Sequence, residues 1–194
     1  MSPAHPVSSR GWLPYGMFAI YLVLLVWIVL WKLQIPYVGI GPLRDIKVVP
    51  FVASGAAGAS APSEVLANLL LFVPFGLYLG LLVPSWRWWR SASVIAGASL
   101  LCEAAQYLLK IGSADVSDVI ANTAGGLIGI GVFALARRAY QARAAMIVTR
   151  ICVIGTILGL LVVGLFLASP LRYAPPRDIW LSADHRHHPV ERGS

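Results

Sequence analysis

The chain has 194 residues, of which 58% are hydrophobic and 12% charged, with a formal net charge of +7 and a mean hydropathy of +0.77. A soluble domain carries about 25% charged residues, so half the charge needed to cover a water-facing surface is missing. This excludes a soluble enzyme, a disordered chain and a disulfide-stapled secreted domain, and points to a membrane protein.

About 20 apolar residues cross a bilayer, and five such runs account for roughly half the chain. The predicted fold is all-α, a polytopic transmembrane helix bundle of about five spans with no sizeable aqueous domain. Residues 1–12 form a cytoplasmic amino terminus. Span one, residues 13–33, carries no charge before Lys32, and Trp12, Tyr15, Trp27 and Trp31 lie towards its ends, where amphipathic rings favour the headgroup level. Its apolar run is too long for a secretory signal and no small-x-small cleavage site follows in LQIPYVGIG, so it reads as a retained span. Residues 34–62 hold Pro36, Gly39, Gly41, Pro42, Pro50 and GAAGASAP together with Arg44, Asp45 and Lys47, which predicts a loop. Spans two to four are expected over residues 65–83, 91–109 and 116–136, and a basic loop then leads to span five at 146–168. From Ser169 onward the Pro, Arg and His content predicts a mobile tail.

Orientation follows from the cations, because Lys and Arg collect on the cytoplasmic side. With the amino terminus inside, Arg10, Arg87, Arg90, Arg137, Arg138, Arg143 and Arg150 are cytoplasmic, against Lys32, Arg44, Lys47 and Lys110 outside. Seven against four favours that choice, the tail being discounted for its distance from the last span. The net positive charge therefore reads as topology and contact with anionic lipid headgroups rather than nucleic acid. Trp86, Arg87, Trp88, Trp89 and Arg90 read as an inner-interface anchor, and Cys102 and Cys152, both within spans, as packing residues.

The informative residues are the polar ones at depth. An Asp in mid-span costs at least about 2.5 kcal/mol on insertion scales, so each such group needs a partner or a purpose. Glu103 lies roughly 10 Å from the nearer end of span three at 1.5 Å per residue. Ser99, Glu103, Gln106 and Lys110 are spaced to share one helical face. In span four Asp115, Asp118 and Asn122 do the same, and Gly125 and Gly129 continue that face, letting a neighbouring backbone approach. The short connection at 111–114 makes spans three and four an antiparallel hairpin whose polar faces meet. Glu64 and Asn68 open span two, so all these residues converge at one end of the bundle, the outer one if the amino terminus is inside. Pro74 with Gly76 predicts a kink in span two, whose freed carbonyl needs a neighbour.

NLLLFVPFG (68–76), CEAAQ (102–106) and DVSDVIANTAGGLIG (115–129), in that order and spacing, resemble the VanZ-like family of bacterial membrane proteins. Its pattern is N-x-x-x-F-x-P-F-G, E-x-x-Q, then R-x-x-D-x-x-D-x-x-x-N-x-x-G. The resemblance covers residues 13–137 and includes Gly125, Gly126 and Gly129. Gly112 stands where the family has an arginine, which leaves Lys110 as the nearest cation in sequence. The family's founding member is linked to resistance to teicoplanin, a glycopeptide that acts on outward-facing cell-wall precursors. The resemblance thus implies a multi-pass protein of a bacterial cytoplasmic membrane.

Three readings of the cluster stand side by side. It is a cleft binding an envelope lipid or cell-wall precursor headgroup, with Glu103, Asp115 and Asp118 as candidate ligands for a cation. It is the site of an enzyme or transporter for a lipid-linked substrate. Or its members are interhelical hydrogen-bonding glue, worth about 0.6 kcal/mol per contact. Catalysis is the weaker expectation, since His5, His185, His187 and His188 are all terminal. No Ser-His-Asp triad or H-E-x-x-H zinc site can form inside the bundle, no phosphate-cradling loop is present, and no cofactor is implied. HRHH in the tail has imidazoles that suit a transition metal, but three of them in a flexible tail usually carry no function. Cysteine labelling tests the topology: Ser113→Cys is expected to react with an impermeant maleimide from outside and Ser85→Cys from the cytoplasm, and the reverse pattern places the cluster inside.

Overall fold

The computed structural model describes residues 11–32, 36–39, 46–47, 49–50, 62–112 and 114–169. The amino-terminal segment, Arg44, Asp45, the stretch 51–61, Ser113 and the tail with HRHH lie outside the described residues. Five α-helices account for most of the rest: α1 (Leu13–Trp31), α2 (Pro62–Leu82), α3 (Trp88–Leu108), α4 (Val116–Tyr140) and α5 (Ala144–Ala168). Two-residue strands, β1 (Ile46–Lys47) and β2 (Ala114–Asp115), pair in parallel with Ile46 opposite Ala114 and Lys47 opposite Asp115. The sequence contains no strand pattern there, because two residues are too few to show alternation.

Local chemistry sets the helix ends. A proline stands in the first turn of α1, and Lys32 ends that helix in the left-handed conformation, its N–H bonding the Ile28 carbonyl at 2.8 Å. Pro62 opens α2 with Glu64 in its first turn, where a carboxylate complements the helix dipole. Asp115 caps α4, its Oδ1 accepting from the Ser117 N–H at 2.8 Å. Helix ends depart from the sequence expectation by up to four residues, and two of these shifts move basic residues into helices. α3 takes Trp88, Trp89 and Arg90 into its first turn, with the Arg90 guanidinium 5.3 Å from the Trp89 ring. α4 runs on through Arg137 and Arg138, cations that suit a helix carboxy terminus, so the basic loop shrinks to a single 3-10 turn at Gln141–Arg143.

Leu13–Trp31, Pro62–Leu82 and the run Val116–Ala168 are long and apolar enough to cross a membrane. The 3-10 turn divides the last of these into α4 and α5, each 25 residues and long enough for one crossing. α3 is long enough but falls short in apolarity, because it carries Arg90, Glu103 and Gln106. Polarity is arranged inside out. Ser99, Glu103, Gln106 and Asn122 are buried, whereas Leu101, at 73% exposure, and Leu108, Val132 and Leu135 lie bare. In hydrocarbon the apolar side chain is the solvated one and the polar group must find a protein partner, so this distribution is that of a membrane bundle.

The core has an aromatic centre and a glycine seam. Phe18, Tyr21, Phe75 and Tyr78 join α1 to α2, with Phe18 and Tyr78 ring centroids 5.1 Å apart. The Tyr21 hydroxyl donates to the Leu71 carbonyl at 2.6 Å, in the turn before Pro74, through which α2 continues. α2 and α4 form the most extensive helix pair. They run in parallel, and a methyl group on Gly125 would overlap the Leu69 carbonyl oxygen, one on Gly129 that of Val73, and one on Gly76 that of Gly126. Gly126 faces the Ile95 side chain of α3 instead. The chain divides into two units, Met1–Leu160 and Leu161–Ser194; the second is described only through the last turns of α5.

The seam predicts opposite signs for one substitution at neighbouring positions. Gly129→Ala is expected to destabilise the folded protein in detergent by about 1–3 kcal/mol, since backbone atoms cannot yield as side chains do. Gly131→Ala, where a methyl group meets nothing within 4 Å, is expected to be neutral or stabilising by up to about 1 kcal/mol through helix propensity. Thermal unfolding of both variants checks the pair.

Candidate functional site

The glycine seam determines what meets at the end of the bundle where α2 and α4 begin. Leu69 lies over Gly125, so the preceding residue, Asn68, comes beside Asp118, and both line one recess. α3 returns to the same end and turns sharply. Its last carbonyls are used by the Lys110 and Ile111 N–H groups, bonded to Tyr107 and Gln106 at 3.1 and 3.0 Å, and the Gly39 N–H bonds the Leu109 carbonyl at 2.9 Å.

Buried side chains pin this turn. Glu103, 4% exposed, accepts the Asp115 N–H on its Oε2 at 2.7 Å, linking α3 to the first residue before α4. Gln106 donates from Nε2 to the Val29 carbonyl at 2.9 Å, linking α3 to α1. Deeper in the hairpin, Asn122 donates from Nδ2 to the Ser99 hydroxyl at 2.8 Å. Asn122 is 1% exposed, and its Oδ1 has no hydrogen-bonding partner among the described residues.

Above these ties a cleft of about 250 Å³ opens between α1, α2, α3 and α4. Lys32, Glu64, Asn68, Gln106 and Asp118 line its polar side, and Ile28, Ala67 and Leu71 are part of its floor. Lys32 Nζ and Glu64 Oε1 stand 4.0 Å apart on its exposed rim. The charges act on one another: Asp118 feels Asp115, Lys32 and Glu64, and Glu103 feels Asp118, Asp115 and Lys32. Among the described residues the recess therefore offers amides, more carboxylate than cation, and an apolar base.

The residues singled out in the sequence thus separate into two groups. Asn68, Gln106 and Asp118 line the cleft. Glu103, Asp115 and Asn122 hold the hairpin together, and Pro74, Gly76, Gly125, Gly126 and Gly129 belong to packing. Lys110 does neither of the things its spacing implies: the helix stops at Leu108 and Lys110 takes the left-handed conformation (φ 58°), which removes it from the face of Glu103 and Gln106. The cation at the cleft is Lys32, contributed by α1. Its one visible signal is that it is the first charge after an uncharged span, at the end where the carboxylates gather. A Cβ at Gly112 would lie 3.5 Å from the Gln106 side chain, so an arginine there would start out over Gln106 at the cleft's edge. Among the described residues no three His, Cys, Asp or Glu side chains are placed to hold a metal ion. Glu103 and Asp115 direct oxygens to backbone N–H groups instead.

Comparison with known proteins shows the family. The VanZ/LLP1 family matches residues 18–137, which includes every cleft residue named above. Protein VanZ of Enterococcus faecium is 33% identical over 125 residues, covering 63% of this chain and 74% of that protein. No solved structure matches the chain.

The two groups respond differently to mutation. Glu103→Ala removes the side-chain acceptor of the part-buried Asp115 N–H and is expected to cost about 1–3 kcal/mol in detergent unfolding. Glu103→Gln keeps an acceptor oxygen and is expected to cost less than half of that. Equal losses in the two variants would mean that the carboxylate charge, not the hydrogen bond, holds the turn.

Proposed function

Because the chain belongs to the VanZ/LLP1 family, we propose that it is a protein of a bacterial cytoplasmic membrane that binds the headgroup of an envelope lipid or lipid-linked cell-wall precursor, and thereby alters susceptibility to glycopeptides. The observation that carries this reading is the cleft itself. Four helices deliver Lys32, Glu64, Asn68, Gln106 and Asp118 to one recess at the end of the bundle, where the headgroups of a bilayer lie. Hydrogen-bonding glue accounts for Glu103 and Asn122, whose partners are protein groups. The same holds for the Gln106 amide, bonded to the Val29 carbonyl; such glue does not account for Asp118, whose carboxylate lines an open recess with Asn68, Lys32 and Glu64.

The end opposite the cleft carries Arg87, Arg90, Arg137, Arg138 and Arg143 with Trp86, Trp88 and Trp89. By the bias of cations to the cytoplasmic side and of Trp to the interface, that end faces the cytoplasm. The amino terminus is then inside and the cleft opens outward, on the side where glycopeptides and mature wall precursors meet.

Asp118→Asn keeps the shape of the side chain and removes its charge from the cleft. It is expected to abolish any change in teicoplanin susceptibility that the wild-type chain confers on a host, with membrane protein level unchanged. A phenotype that survives Asp118→Asn at equal protein level, or that falls only in step with protein level, would count against a headgroup site.

A further inference from the structure

A second cavity, of about 500 Å³, opens between α1, α2 and α5 directly beside the polar cleft, and the two share Ile28, Ala67 and Leu71. Its wall is apolar, formed by Leu24, Leu70 and Leu77 on one side and by Ile151 and Gly155 of α5 on the other. The two hydroxyls that border it are turned to other work. Tyr21 donates to the Leu71 carbonyl, and Thr156 pairs with the Tyr78 hydroxyl at 2.9 Å. Small-ligand sites range over roughly 300–1,000 Å³, and beyond these two hydroxyls the described lining side chains offer only the weakly polar Cys152 thiol, so the cavity suits hydrocarbon. Between Ala67 and Leu77 it follows α2 for about 15 Å at 1.5 Å per residue, half of an about 30 Å hydrocarbon core. That is the depth of one leaflet, measured from the headgroup level of the cleft.

α5 leaves this gap open for a simple reason. Gly155 presents no side chain to the groove, and a methyl group there would meet nothing within 4 Å. Charge then decides which head accompanies the tail. Among its described lining residues the cleft sets one cation, Lys32, beside Glu64 and Asp118, with Glu103 close behind. A purely anionic head would meet more carboxylate than cation. A head that joins a phosphate to a primary ammonium matches both signs.

We propose that cleft and groove together bind one aminophospholipid of the surrounding leaflet, its ammonium at Asp118 and Glu64, its phosphate at Lys32, and one acyl chain in the groove between α1, α2 and α5. The inference rests on the headgroup reading of the cleft and adds the tail and the charge of the head. α5 lies beyond the stretch matched by the family, residues 18–137, so one wall of the groove belongs to this chain's own carboxy-terminal part.

The test places the full chain in phosphatidylcholine nanodiscs with a trace of phosphatidylethanolamine carrying a diazirine on one acyl chain. Irradiation is followed by intact mass for the labelled fraction and peptide mapping for its position. The expected label falls on residues 151–159 and the facing turns of α1 and α2, and unlabelled phosphatidylethanolamine displaces it about tenfold more effectively than phosphatidylglycerol does. Gly155→Phe, which puts a ring into the groove, is expected to lower the label about tenfold, and the smaller Gly155→Leu gives the same direction should the first variant not fold. Label spread over the lipid-facing sides of α4 and α5, unchanged by either variant, overturns the groove. Label in the groove that every lipid displaces equally overturns the aminophospholipid head. Either failure alongside an intact effect of Asp118→Asn on susceptibility sinks this inference alone; groove labelling with no effect of Asp118→Asn sinks the headgroup function instead.

Discussion

The backbone contact between α2 and α4 is the constraint on which the rest of the bundle depends. Helices in a bilayer gain nothing from burying apolar surface against one another, because lipid is as apolar as leucine; they associate by close packing and hydrogen bonds. Gly125 and Gly129 bring the α4 backbone against the Leu69 and Val73 carbonyls, and Gly76 answers from α2. A side chain at any of these points would separate the helices and remove the register that puts Asn68 beside Asp118. The geometry of the cleft is therefore set about two turns away, by residues that never touch it.

Polar residues complete what packing begins. In hydrocarbon an unsatisfied hydrogen-bonding group costs several kcal/mol, so Glu103, Gln106 and Asn122 each reach across to another segment: the turn before α4, α1 and α3 respectively. These ties make the α3–α4 hairpin rigid at the end where the cleft opens. They also explain why α3, the least apolar of the long helices, sits inside the bundle on its polar side while Leu101 and Leu108 face outward. The same end therefore has paired polar groups beneath and exposed charge above, at Lys32 and Glu64.

Much of this was legible in the residues alone. Five apolar runs, the helical spacing of Asp115, Asp118 and Asn122, the small residues that continue their face, and the convergence of three helix ends all follow from periodicity and length. What could not be read is equally specific. Lys110 has the right spacing for the polar face, and only its left-handed backbone takes it away. Lys32 looks like an ordinary flanking cation until α1 is seen to end against Glu64. The parallel pairing of Ile46 with Ala114 has no local signal, because a two-residue bridge is made by the partner's position rather than by its own sequence.

The sequence by itself determined the class of protein, the approximate spans and the family, since scarcity of charge, run length and ordered motifs are local properties of the chain. Only the tertiary structure decided which polar residues serve the fold and which line a recess. Glu103 and Asp118 are both acids near the same end of adjacent spans and cannot be told apart by position or type. Their roles diverge because the hairpin turn places a backbone N–H within reach of one, while the α2–α4 seam leaves the other at the edge of an open cleft. The charge that composition showed to be scarce is thus divided between holding the bundle together and lining an open cleft at its end.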